Sequence, residues 1–338
     1  MEKIKMGILG AGSFVQRRIL PILPKVPTIQ PICIFNRSLE KAEKIANQFA
    51  VPYAVSSKEE LLRHPEVDAI FIATPNHCHE EDAIACAKAK KPVLCEKPLA
   101  PTVKAIMRMQ ESFSQTATML LVGQSLRFKP AIQKAKQFIA EKELGELLHV
   151  RAYFSLFVPK NNWRYNKRSG GGVLQDIGVH LIDLIRFITG SEIEAIYAIA
   201  DAEESSQCDT TVTAIGKLQC GADYTFECSM DQPLRSGFEI IGSKARLISS
   251  NSLRQTYDPG ETLCLVREDD SVTYFPLRAK DIYEAELAHF GAVLQQKEAS
   301  FLDSKEGLAN QMVIEAAYAS IFDKSPQKIG KVFTEQCY

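Results

Sequence analysis

The stretch Ile4-Lys5-Met6-Gly7-Ile8-Leu9-Gly10-Ala11-Gly12 decides the fold. A short apolar run stops at two glycines one residue apart, and a segment mixing basic and apolar residues, Arg17 to Leu23, follows. That order predicts a strand, a tight turn and a helix. Gly10 and Gly12 permit the turn and a close backbone approach, so the next helix could offer free N–H groups and its positive dipole end to a pyrophosphate. Val15 stands where a dinucleotide fingerprint carries its third glycine. A G-x-G alone also suits a purely structural turn, and only its place between a first strand and a first helix favours the nucleotide reading, with Ser13, Phe14 and Val15 completing the candidate cradle.

Outward from this motif the same alternation repeats. Ile32 to Phe35 reads as a second strand, and Leu39, Ala42, Ile45, Ala46 and Phe49 recur at helical spacing. Ala69 to Ala73, Pro92 to Cys95 and Met119 to Val122 are further short apolar runs, separated by helical segments Glu80 to Lys90 and Thr102 to Ser114. Strand and helix in regular alternation predict an α/β domain with a doubly wound parallel sheet, over residues 1–123. Beyond it, helices over Pro130 to Ala140 and Val173 to Ile188 precede strands at 193–200, 210–218, 222–228, 237–241, 245–249, 263–266 and 272–275. Short polar or glycine-containing turns join these strands, which favours an antiparallel sheet in an α+β domain over 124–338. Helical spacing returns over 279–296 and 304–322.

Composition narrows the function classes. The 338 residues suit two domains that bury roughly three quarters of their unfolded surface. A net charge of −1 without long runs of either sign leaves no footprint for nucleic acid or an anionic membrane. No apolar stretch approaches the roughly 18 to 20 residues of a membrane span. Nine scattered cysteines, never in a C-x-x-C pair, suggest neither a disulfide framework nor a zinc site, so reduced thiols and a cytoplasmic location are expected. His77, Cys78 and His79 lie close together but have no matching second cluster, and no metal is expected. His64, His149 and His289 read as structural or exposed.

The second strand ends at Asn36-Arg37-Ser38, where chains that bind NAD usually carry an acid for the ribose hydroxyls. Arg37 can pair with a 2′-phosphate and stack on adenine, while Asn36 and Ser38 can donate hydrogen bonds, so NADP is favoured and NAD stays possible. A solvated surface arginine is the plain alternative. Thr74-Pro75-Asn76-His77 and Glu96-Lys97-Pro98 follow the fourth and fifth strands at the carboxyl edge, where open α/β sheets hold ligands. Lys97 there could stabilise an alkoxide or relay a proton, or be a surface lysine at a strand end. Downstream, Gly170-Gly171-Gly172-Val173-Leu174-Gln175-Asp176-Ile177-Gly178-Val179-His180-Leu181-Ile182-Asp183 places Asp176, His180 and Asp183 at helical spacings that let all three project from one face. His180 suits proton transfer near neutral pH, and Asp176 could bind a substrate hydroxyl or orient the imidazole. An isolated Asp-x-x-x-His more often reads as a pair that bonds only to itself or to nearby backbone.

Taken jointly, Gly10-Ala11-Gly12, Thr74-Pro75-Asn76 with His79, Glu96-Lys97-Pro98-Leu99, Arg127-Phe128, Trp163-Arg164 and the run from Gly170 to Asp183 resemble the Gfo/Idh/MocA oxidoreductases, the dehydrogenases of sugars, inositols and related polyols. The resemblance spans most of the chain. It implies a Rossmann domain that binds NAD(P), a second domain whose large open sheet commonly forms the interface of a homodimer or homotetramer, and a small sugar or polyol as substrate. It implies Lys97, Asp176 and His180 as the catalytic trio, with Thr74, Pro75, Asn76, His79, Glu96 and Lys97 toward the cofactor. Arg127, Trp163, Arg164 and Asp183 are candidates to shape the substrate pocket, though Trp and Arg also serve as packing and ion-pair residues. A dinucleotide-sensing regulator and a non-redox NAD-dependent glycosidase are the rival readings; a regulator would be expected to lack part of the trio, which here is complete.

Overall fold

The opening apolar run is β1, Ile4–Leu9, whose Met6, Ile8 and Leu9 are fully enclosed. The computed structural model describes residues 3–201, 208–254, 261–278 and 280–330. After β1 come β2 (Ile29–Phe35), α1 (Leu39–Phe49), β3 (Tyr53–Val55), α2 (Lys58–Arg63), β4 (Ala69–Ile72), α3 (His79–Lys88), β5 (Val93–Glu96), α4 (Val103–Thr116) and β6 (Leu120–Gly123). The six strands form one sheet in the order β3-β2-β1-β4-β5-β6, and every pairing is parallel. Strands covered on both faces must be apolar throughout, and all four residues of β4 are buried. Strand order reverses between β1 and β4, which makes the carboxyl ends of those strands the topological switch point where ligands bind in such sheets.

Helix starts in this unit are fixed by short polar side chains. Ser38, Ser57 and Thr102 each sit in extended backbone and accept an N–H from the first turn of α1, α2 and α4. The helix expected over Arg17 to Leu23 does not form as one piece. A wide turn over Val15–Ile19 closes with Leu20 N–H on the Val15 carbonyl at 2.9 Å, and a tight turn follows at Leu23–Lys25. Pro21 and Pro24 lack the N–H groups that an α-helix through this segment would need.

The later elements are α5 (Pro130–Ala140), β7 (Leu147–Phe157), α6 (Val179–Thr189), β8 (Ile193–Ala200), β9 (Thr211–Leu218), β10 (Asp223–Ser229), β11 (Asp231–Gly242), β12 (Ala245–Ser250), β13 (Thr262–Arg267), β14 (Val272–Tyr274), α7 (Ile282–Leu294), α8 (Ser304–Asp323) and β15 (Gln327–Lys328). Among the described residues the second sheet runs β14-β13-β12-β11-β7-β10-β9-β8-β15, antiparallel except where β7 lies parallel to β10. Its central strand β7 was not expected from the sequence. Ala279, expected to open the helix now seen as α7, lies outside the described residues, as does Cys337.

The chain divides into two compact units, Met1–Gln124 with Tyr283–Leu308, and Ser125–Ile282 with Ala309–Tyr338. Tyr283–Leu308, which a division at residue 123 assigns to the second part, thus packs in the first. Val122 N–H bonds to the Leu302 carbonyl at 2.8 Å, Leu121 pairs with Asp303, and the backbone of Gly307 lies against Leu99, where a Cβ would come within 2.8 Å. Such long-range packing leaves no periodic trace in the local sequence.

Candidate active site

In the first unit the glycine turn has two different sides. Gly10 has φ +108°, and a Cβ there would lie 2.7 Å from the backbone of Ala73 and Thr74, so the turn is pressed onto the end of β4. Gly12 is exposed, and a Cβ there would meet nothing within 4 Å, leaving open space for a ligand backbone to approach. Ser13 is also exposed, and its carbonyl and hydroxyl oxygens accept from Arg17. Val15 is fully buried, so its side chain serves the core. Phe14 meets Tyr283 edge to face at 5.3 Å between ring centroids. At the end of β2, Asn36 Oδ1 accepts the Ser38 N–H at 3.1 Å and Arg37 is exposed, near enough to Cys78 to act on its charge.

The loops after β4 and β5 are tied together from below. Thr74 Oγ1 donates to Asp82 at 2.7 Å, and this fully buried carboxylate also pairs with Lys58. His79, fully buried, places Nε2 2.9 Å from the Thr74 carbonyl and Nδ1 3.0 Å from the Pro98 carbonyl. Burial lowers its pKa despite these two acceptors, and a neutral ring can donate to only one of them. His79 therefore sets the spacing of the two loops from beneath, while Pro75 is exposed, Asn76 is buried at 8% exposure, and Glu96 and Lys97 are half-buried. Glu96 Oε2 accepts the Lys97 N–H at 3.3 Å.

Sequence reasoning passed over two buried groups near these strand ends. The Gln124 amide, one residue beyond β6, is 1% exposed and neither of its polar atoms has a hydrogen-bond partner among the described residues. Glu286 in α7 is equally buried with both carboxylate oxygens in the same state, and burial, then the Glu96 charge, push its pKa well above the usual carboxylate range. No motif marks either residue; both stand out only once burial is known.

In the second unit, Arg164 brings the Trp163-Arg164 segment to Asp176, with Nε donating to Oδ2 at 2.5 Å and the guanidinium lying 4.9 Å over the Trp163 ring. Asp176 sits in a wide turn, Leu174–Gly178, that leads into α6. This turn replaces the regular helical start expected over Val173 to Ile188, and His180 and Asp183 follow it together in α6. All residues of α6 from Val179 to Ile188 are buried, His180 at 4% exposure. A helix enclosed on every side must satisfy its charges internally. Arg127 accordingly grips Asp183 with Nε and Nη2 at 2.8 and 2.6 Å, and Asn310 bridges Asp183 to Arg186 at 2.9 and 2.7 Å. Burial raises the Asp183 pKa, but the charge and hydrogen bonds of Arg127 outweigh it and hold the carboxyl below its ordinary value. Arg127 and Asp183 thus form a buried ion pair.

Among the described residues no cluster of His, Cys, Asp and Glu could hold a metal, and no helix is long and apolar enough to cross a membrane. Residues 4–124 match the oxidoreductase family with an NAD-binding Rossmann fold, and residues 132–248 match the GFO/IDH/MocA C-terminal domain. The chain is 27% identical over 325 residues to a 1,5-anhydro-D-fructose reductase of Ensifer adhaerens, covering 94% of this chain and 96% of that one. Its fold superposes on an aldose-aldose oxidoreductase from Caulobacter crescentus complexed with glycerol, with a TM-score of 0.89 at 22% identity over 97% of this chain and all of the other. It also superposes on levoglucosan dehydrogenase in complex with NADH and levoglucosan, with a TM-score of 0.85 at 22% identity over 98% and 100% of the two chains. With both domains matched in order, the chain belongs to the GFO/IDH/MocA family of NAD(P)-dependent oxidoreductases.

Proposed function

We propose that this oxidoreductase interconverts a secondary alcohol and a carbonyl on a sugar, polyol or inositol-like substrate, with NADP as the preferred cofactor. The observation that carries the reading is Asp176, held by Arg164 four residues before a buried His180, in a chain whose first unit leaves the flank of Gly12 open. The residues present fit a dinucleotide: the space beside Gly12 suits a pyrophosphate, exposed Arg37 suits a 2′-phosphate, and the buried Gln124 amide offers a donor and an acceptor without partners. When bound, the nicotinamide supplies a two-electron hydride acceptor or donor.

In the oxidative direction the His180 imidazole takes the hydroxyl proton, and Asp176 holds a neighbouring hydroxyl or orients the ring. The Lys97 ammonium stabilises the developing alkoxide. Trp163 and Arg164 form one wall of the substrate site, the arginine fixed by its bonds to Asp176. Tyr197 and Ile199 of β8 and Ile215 of β9 are exposed on the second sheet, with Tyr197 opposite Ile215, and support a homodimer or homotetramer through that face.

The test incubates the purified protein with NADP+ or NAD+ and a panel of sugars, inositols and small diketones, following reduced nicotinamide and substrate together. Net cofactor reduction with substrate loss supports the proposal. Substrate loss without net cofactor change would identify a glycosidase, and dinucleotide binding without turnover a sensor. Replacing Lys97 or His180 by Ala should lower turnover by about 100-fold or more and leave cofactor binding nearly intact.

A further inference from the structure

We propose that Asp209 and Tyr318 are positioning residues for the reaction proposed above: the Asp209 carboxylate anchors the start of the turn that carries Asp176 into His180, and the Tyr318 hydroxyl anchors Asp209. The inference rests on that reading of Asp176 and His180.

The anchor is complete within the second unit. Asp209 is 5% exposed, its Oδ2 accepts the Leu174 N–H at 2.7 Å, and its Oδ1 accepts the Tyr318 hydroxyl at 2.9 Å. Its backbone carbonyl accepts the Val173 N–H at 2.9 Å. Leu174 opens the wide turn, and the first N–H groups of any helical segment lack an acceptor within it. A neighbouring Ser, Thr or Asp usually supplies one; here Val173 precedes the turn and makes no side-chain cap. The acceptor arrives instead from a residue 35 positions later in sequence, with a carboxylate that suits the positive end of a helix.

The glycine triplet shows how tightly this joint is built. Gly172 has φ +120°, and a Cβ there would lie 2.5 Å from Asp209 Oδ1 and 3.0 Å from the Tyr318 hydroxyl. A Cβ on Gly171 would lie 2.4 Å from the Arg164 carbonyl oxygen, which accepts the Gly172 N–H at 2.9 Å. The glycines are therefore pinched between Asp209 with Tyr318 on one side and Arg164 on the other. Arg164 also grips Asp176, so the turn is held at its first residue by Asp209 and at Asp176 by Arg164. Wide turns of this kind are less favourable than regular helix and persist where surrounding contacts fix them. Burial raises the Asp209 pKa, opposed by its bonds to Leu174 and Tyr318, so the group depends on those two donors.

Full-length Asp209→Ala, Asp209→Asn and Tyr318→Phe variants test this, each read by kcat, KM, the NADP+ dissociation constant and hydrogen exchange across 173–180 and 103–116. Asp209→Ala should lower kcat by about tenfold or more, speed exchange over 173–180 alone and leave NADP+ binding unchanged. Asp209→Asn keeps an oxygen for the Leu174 N–H and should recover most of that loss. An Asp209→Ala protein with unchanged kcat and unchanged exchange, or an Asn variant no better than Ala, would overturn the proposal. If Asp209→Ala does not fold, Tyr318→Phe decides in the same way, since it removes one hydroxyl and no buried charge. If the wild type turns over no alcohol or carbonyl, the reaction is wrong, while exchange over 173–180 still decides whether Asp209 anchors the turn.

Discussion

Arg164 donates to both carboxylate oxygens of Asp176, at 2.5 and 3.5 Å, while its guanidinium plane lies over Trp163. A lysine offers a point charge without that fork and stacks less well. With Asp176 in the proposed role, Arg164→Lys should therefore keep the fold and lower kcat by about 10- to 100-fold, because a small misplacement of a reacting group is costly. Steady-state kinetics beside an unchanged melting curve checks it.

The Arg127–Asp183 pair predicts a stability effect instead. Arg127→Met strands a buried carboxylate and should cost about 3–5 kcal/mol in urea unfolding. The folded pKa of Asp183 lies below its unfolded value of about 3.9, so its contribution is present above that pH and lost as pH falls. The gap between wild type and Asp183→Asn should be full at neutral pH and close as the pH drops through the acid range.

At the glycine turn the two residues should part company. Gly12→Val places a side chain in open space, so the melting temperature should hold while dinucleotide affinity drops about tenfold or more. Gly10→Val meets the backbone of β4's end from a positive φ and should lower the yield of folded protein. Calorimetry with and without NADP+ separates the two.

On the proposed preference for NADP, Arg37→Asp should shift cofactor choice towards NAD. A charge-assisted hydrogen bond to phosphate contributes about 1.5–3 kcal/mol, so NADP+ affinity should fall roughly 10- to 150-fold while NAD+ affinity is kept or gained. Equal losses for both dinucleotides would show that Arg37 does not read the 2′-phosphate.

Glu286 gives a pH signature of opposite sign. Its folded pKa lies above the unfolded value of about 4.3, so the stability it confers is present below that pH and declines as pH rises. Glu286→Gln cannot ionise, so its melting temperature relative to wild type should climb from pH 4 towards pH 8, by differential scanning over that range.

The doubly wound sheet was legible because β1, β4 and β5 are short apolar runs that end at Gly10, Thr74 and Glu96, and both the runs and their terminators are local. α1 was legible to the residue, since Ser38 caps it and its apolar positions recur at helical spacing. β7 was missed although His149, Arg151 and Tyr153 alternate with buried Val150 and Ala152; charged residues on the open face blur the apolar signal. The same local view placed Asp183 near His180 on α6 by spacing but could not show its buried partner Arg127, which lies 56 positions earlier in the chain. Asp82, Gln124 and Asp209 escaped notice because their roles depend on partners distant in sequence or on burial.

Because Tyr283–Leu308 packs with Met1–Gln124, the nucleotide-binding half is assembled from two separated stretches of polypeptide, and α8 starts in one unit and finishes in the other. A recombination event that exchanged only the first 124 residues with a relative would leave Val122, Leu99 and Phe14 facing foreign surfaces at Leu302, Gly307 and Tyr283. Chimeras of this family should therefore succeed when both stretches travel together, and shuffling at a single crossover should select against itself.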